Sequence, residues 1–218
     1  MPGWLLAYVL SAAAAVACNL AWPEQFWPYA VLKPLTTLLV IGFAWQRGAA
    51  GEARRRGLLA GLVLSLLGDV ALLWPQHGFL PGLVAFLMAH LAYLWAFTRG
   101  LRLAARPIAF VGYAVLAGVV LTTLWPGVPT GLRLPVAAYV LCLAAMAAQT
   151  AVWWLTARGG TGQALARRAA VGGFLFLVSD ALLATNKFHG ALPLSALWIL
   201  ASYWTAQWLL ASSLPARR

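Results

Sequence analysis

Along this chain, long apolar stretches alternate with short segments rich in Pro, Gly and Arg. That punctuation predicts eight helices, at roughly 4–21, 28–46, 57–74, 80–98, 108–125, 133–156, 169–186 and 193–212. A helix rises about 1.5 Å per residue, so about 17–25 apolar residues cross a hydrocarbon core about 30 Å thick. The expected fold class is therefore all-α, a polytopic membrane protein with eight transmembrane helices. The connections are short, so residues 1–218 are expected to form a single eight-helix transmembrane domain. The opening "MPGWLLAYVLSAAAAVACNLAW" has the small residues of a signal peptide but no early Lys or Arg, and is expected to be the first span.

The polar interruptions of these stretches are few. The chain has four acidic residues, Glu24, Glu52, Asp69 and Asp180. Asp69 lies inside "SLLGDVALLW" and Asp180 inside "FLVSDALLAT". An ionised Asp at the centre of a membrane helix costs ~2.5–3.5 kcal/mol on insertion scales, so such residues usually face a cavity or a partner. Counting along the predicted helices puts Asp69 about 18 Å, and Asp180 about 16 Å, from the same side of the membrane. Lys33 lies about 8 Å, and His90 about 14 Å, from the other side. All four fall in one slab, which points to one pocket. Within single helices, Ser65 and Asp69, the set Phe86, His90 and Tyr93, and the pair Tyr203 and Gln207 each share a face, as do Phe176, Ser179 and Asp180.

Composition agrees with a membrane protein. The chain is 63% hydrophobic and 9% charged, against about 25% charged in ordinary soluble domains. Its basic excess serves topology, not nucleic-acid binding. Of 15 Lys and Arg, twelve fall on one side: Arg47, Arg54, Arg55, Arg56, Arg99, Arg102, Arg106, Arg158, Arg167, Arg168, Arg217 and Arg218. Under the positive-inside rule both termini then face the cytoplasm. Membrane lipids are the expected partners and nucleic acid is not. Nothing in the sequence sets an oligomeric state. Cys18 and Cys142 lie in apolar runs and form no disulfide or metal framework. Tryptophans near span ends, Trp22, Trp27, Trp74 and Trp125, read as interface anchors. An internal repeat is also suggested. "GLVLSLLGDVALL" resembles "GGFLFLVSDALLA", and "HGFLP" from His77 resembles "HGALP" from His189. A 4+4 parallel duplication and a chance likeness of Leu-rich helices both fit this.

Two carboxyls in a low-dielectric pocket suit acid–base hydrolysis: one is kept protonated by desolvation, the other ionised beside Lys33. No metal ligand pair of HExxH type occurs, no GxSxG elbow and no Walker-type phosphate loop. Two other classes use the same residues. A proton-coupled lipid or small-solute transporter would relay protons through Asp69 and Asp180. A non-catalytic scaffold would pair them with Lys33 for packing alone.

Several phrases, taken in order, resemble the YhhN family of lysoplasmalogenase-like membrane proteins. They are "KPLTT" with Lys33, "LSLLGDVALL" with Asp69, "FLMAHLAYL" with His90 and Tyr93, "GGFLFLVSDALLATNKF" with Ser179, Asp180 and Asn186, and "YWTAQ" with Tyr203 and Gln207. Gly173 departs from the alanine expected in the last-but-one phrase. The resemblance implies an eight-helix hydrolase that splits the vinyl ether of a lysoplasmalogen, a lysophospholipid, into a fatty aldehyde and a glycerophospho-ethanolamine or -choline. It implies no metal and no cofactor. On this reading Asp69 and Asp180 are the acid–base pair, in undetermined order. Lys33 holds one of them ionised or meets the lipid phosphate. His90, Tyr93, Tyr203 and Gln207 position water or the glycerol head, with Ser179 and Asn186 in support. The Ala, Leu and Arg richness points to a bacterial source, and so to the cytoplasmic (inner) membrane of a bacterium.

Overall fold

A computed structural model describes residues 2–49 and 52–216. Among them are eight α-helices: α1 (Pro2–Ala21), α2 (Phe26–Trp45), α3 (Ala53–Ala71), α4 (Pro75–Phe97), α5 (Pro107–Leu124), α6 (Arg133–Thr156), α7 (Gln163–Phe188) and α8 (Ser195–Ser212). Two short 3-10 turns, Trp125–Gly127 and Thr130–Leu132, join α5 to α6. Six helices, all but α3 and α8, are long and apolar enough to cross a membrane. The sequence shows why those two differ. α3 opens on Arg54, Arg55 and Arg56 and carries Asp69, while Ser202, Thr205 and Gln207 dilute α8.

The helices outrun the apolar stretches at the arginine-rich end. α3 starts at Ala53 and α7 at Gln163, where the hydropathy pattern marked 57 and 169. The arginines there lie along aromatic rings, which lets the helix continue past its apolar length. The Arg54 guanidinium sits 4.2 Å from the Trp153 ring centroid and that of Arg99 sits 4.3 Å from Trp95. This end of the bundle is also tied together. Arg47 donates to the carbonyls of Leu214 and Ser212, Arg168 donates to Ser212, and Arg54 donates to the carbonyl of Arg99. The loops after α2 and α4, the start of α7 and the C-terminal segment thus share one end; Arg217 and Arg218 lie outside the described residues.

α2, α3, α4, α6, α7 and α8 close a ring, each packed on the next and α8 back on α2. α1 lies outside the ring against α2 and α8, and α5 lies outside it against α6. Their outward faces are apolar, with Leu6 and Leu10 on α1 and Ile108, Val115 and Val119 on α5 exposed. The ring helices carry the buried Lys33, Thr37, Asp69, His90, Ser179 and Gln207 instead.

Glycines set the closest helix approaches. A Cβ on Gly68 would lie 2.5 Å from the Phe86 ring, and one on Gly61 would overlap the Tyr93 ring. At Gly173 a Cβ would meet Thr150 and come within 3.2 Å of the Ala147 backbone, so α6 leaves no room for alanine there without a shift. We expect Gly61→Ala to lower stability by about 1–3 kcal/mol, the usual penalty of overpacking, measured by thermal melting in detergent. Unchanged melting would show that Tyr93 moves aside freely.

Candidate active site

Asp69 lies near the C-terminal end of α3 and is 1% exposed. An unpaired carboxylate at such a position is strongly disfavoured, and three donors surround it. Lys33 on α2 places Nζ 3.7 Å from Oδ1. Thr37, one turn further along α2, donates to Oδ2 at 2.7 Å. Tyr203 on α8 donates to the same oxygen at 2.8 Å. Behind Tyr203 the hydrogen bonding continues. Gln207 Nε2 donates to the Tyr203 oxygen at 3.1 Å, and Tyr93 donates to Gln207 Oε1 at 2.7 Å. Ser65 Oγ lies 3.4 Å from the Tyr93 hydroxyl. The chain from Ser65 to Asp69 fixes the Tyr203 hydroxyl and leaves it little freedom to leave the carboxylate.

Asp180 on α7 has a different shell. Tyr139 on α6 donates to its Oδ2. His90 Nε2 lies 3.0 Å from the Tyr139 hydroxyl and 3.5 Å from the same carboxyl oxygen. The other oxygen, Oδ1, has no hydrogen-bond partner among the described residues, and neither has the buried His90 Nδ1. No lysine or arginine pairs with Asp180 among them. Two aromatic rings stand between the clusters. Phe176 packs edge-on to His90 at 4.6 Å and to Tyr203 at 5.4 Å, and Phe86 meets Tyr203 at 5.8 Å.

Both aspartates nonetheless line one cavity of about 290 Å³. Lys33, Tyr203, Ser179 and Asn186 share its wall, together with Tyr29 and Lys187. The cavity lies toward the helix ends away from the arginines, where α2 and α8 begin and α7 ends. Ser179 spends its hydroxyl on the α8 carbonyl of Ile199 at 3.0 Å. Asn186 Oδ1 accepts the Leu192 N–H at 2.9 Å and so holds the turn into α8, where Leu194 adopts a positive φ of 53°. Tyr93, Gln207 and His90 stand behind the wall and act on Tyr203 and Tyr139. Among the described residues no three His, Cys, Asp or Glu side chains converge as a metal site would need.

Sequence reasoning missed Thr37, Tyr139 and Tyr29. For two of them a signal existed: Tyr29, Lys33 and Thr37 are spaced i, i+4, i+8 on α2, so one face presents all three. Tyr139 had none, because a lone tyrosine in an apolar helix gives no hint of which neighbour it meets.

The YhhN family pattern matches residues 29–214. The chain belongs to the YhhN family. Its relatives include the human lysoplasmalogenase TMEM86B (Homo sapiens), 34% identical over 211 residues, which cover 96% of this chain and 85% of that one. The mouse protein of the same name (Mus musculus) is 32% identical over 227 residues, covering 95% and 84% of the two chains. Bovine lysoplasmalogenase TMEM86A (Bos taurus) is 31% identical over 162 residues, covering 72% of this chain and 64% of its own length. No solved structure matches. As a YhhN protein with six long apolar helices, the chain is an integral membrane protein.

Proposed function

We propose that this YhhN protein is a lysoplasmalogenase-like hydrolase that cleaves the vinyl ether of a lysophospholipid by acid–base catalysis with Asp180 and Asp69. The observation that carries the reading is that two carboxyls with different partners, Asp69 buried and Asp180 partly exposed, line a single cavity. Asp69 faces the Lys33 ammonium and accepts from two hydroxyls. Asp180 accepts from one hydroxyl, pairs with no lysine or arginine among the described residues and keeps one oxygen free of protein partners, open to a substrate. On this reading Asp180 gives its proton to the alkenyl carbon, and the ether oxygen becomes an oxocarbenium ion. Water adds to the carbon bearing that oxygen as Asp69 takes its proton. The hemiacetal then collapses, its hydroxyl proton passing to the departing glycerol oxygen, and the proton on Asp69 returns to Asp180. Aldehyde and alcohol leave with one water consumed. The logic parallels the carboxyl pair of glycosidases, which also handle an oxocarbenium.

Eight spans, with α3 and α8 crossing as members of the ring, suit this reading, and the clustered arginines support cytoplasmic termini. A 4+4 repeat is supported by the way each aspartate is held. Asp69 is met from α2 and α8, and Asp180 from α6 and α4, which are equivalent helices under that repeat. The composition supports a bacterial inner membrane.

The test is incubation of the purified protein with a panel of lysophospholipids and ether lipids, read by mass spectrometry. Aldehyde is expected from alkenyl ethers alone. In heavy water the aldehyde, trapped as its alcohol, should carry one deuterium on the carbon next to the former carbonyl. Solute flux across liposomes without any product would replace this reading by the transporter.

A further inference from the structure

The cavity wall contains a lysine that the acid–base reading does not use. Lys187, in the last turn of α7, is exposed at the mouth with its Nζ 4.9 Å from the Phe79 ring centroid. It has no carboxylate partner among the described residues, whereas Lys33 is matched by Asp69. On the other side of Asp180 lies a second space, a cleft of about 70 Å³ between α4, α5, α6 and α7. Its wall is apolar apart from Tyr139 and Asp180, with Leu83, Ala117, Val120 and Leu177 typical of it. Cavity and cleft are neighbours: Asp180, Phe86, Phe79, Leu72 and Leu183 line both.

We infer a two-part lipid site, with the phosphate of a single-chain phospholipid at Lys187 and the start of its hydrocarbon chain in the α4–α7 cleft. This rests on the hydrolase reading and sets the direction of its substrate. Lys187 and Asp180 are seven residues apart on α7, two turns on the same face and about 10 Å along the axis. A glycerol backbone and an extended lysine side chain together span that gap. The polar–apolar boundary of the lipid then falls at Asp180, where the linkage between glycerol and chain would lie. The cleft is short, so it holds the first carbons and the rest of the chain lies along α5 toward the membrane. Lys187 is a specificity residue here, since an ammonium recognises a phosphate as a point charge and not a neutral glycerol.

The test compares four alkenyl lipids, long- and short-chain, each as the glycerophosphocholine and as the bare glycerol. Lys187→Ala should lower the kcat/KM ratio of phosphorylated to bare substrate about tenfold, the worth of one charge-assisted contact, and Lys187→Arg should restore it. Ala117→Phe and Val120→Phe fill the cleft from α5 and should lower the ratio of long- to short-chain substrate by a similar factor. An unchanged phosphate ratio in Lys187→Ala, or equal losses on both chain lengths in the two cleft variants, overturns the inference. Binding of a saturated 1-alkyl lysophosphocholine, followed by tryptophan fluorescence, separates the two readings. If the wild type releases no aldehyde but this binding still weakens in Lys187→Ala and in the cleft variants, the hydrolase reading fails and the two-part site stands. Binding unaffected by all of them overturns the site.

Discussion

Asp180→Asn should release about a hundredfold to ten-thousandfold less fatty aldehyde than the wild type, while remaining folded in the membrane. The asparagine keeps an oxygen to accept from Tyr139, so the contact that fixes the side chain survives. What it loses, on the proposed mechanism, is the proton that the carboxyl would give to the alkenyl carbon. Asp69→Asn should fall comparably for the opposite reason. With its amide oxygen in the place of Oδ2 it still accepts from both Thr37 and Tyr203, but on the proposed mechanism it can no longer take a proton from water. Aldehyde release by mass spectrometry, with detergent gel filtration to confirm folding, checks both. Full activity in either variant would sink the assignment.

Lys33→Met should cause the largest loss of stability, about 3–5 kcal/mol, because it strands the Asp69 charge in a buried position. Lys33 is 5% and Asp69 1% exposed, so water can do little to compensate. Adding Asp69→Asn to Lys33→Met removes the stranded charge and should recover most of the lost stability, yet no activity. Thermal melting of the wild type, both single variants and the double variant reads the coupling directly. If the double variant melts as low as Lys33→Met, the ion pair is not what Lys33 contributes. If it regains stability and also activity, the pair serves packing alone and Asp69 is not part of the acid–base pair.

Much of this protein could be read along the chain. The number and order of helices followed from apolar stretches and their Pro, Gly and Arg punctuation. That Asp69 and Asp180 belong to a special place followed from where they stand, since a carboxyl within an apolar helix must have a partner or a cavity. The ordered phrases around them carried the family. The partnerships were less legible. One shared slab suggested one cluster, but the side chains divide into two: Lys33 with Thr37, Tyr203 and Asp69, and His90 with Tyr139 and Asp180. Tyr93 and Gln207 turned out to support Tyr203 from behind, not to line the cavity.

The reason lies in what hydropathy encodes. Residue counts along an apolar stretch set depth, because every helix advances by the same rise per residue. They do not set rotation. Helices such as α4, α5 and α8 hardly segregate polar from apolar residues, so no polar stripe marks the face that turns inward. The sequence alone therefore determined the helices, their depth-matched polar residues and the family they belong to. Which aspartate meets the lysine, which meets the tyrosine and histidine, and that Asp180 lines both a cavity and an apolar cleft were decided by tertiary packing. There, glycines such as Gly61 and Gly68 admit the rings that set how closely α3 and α4 approach.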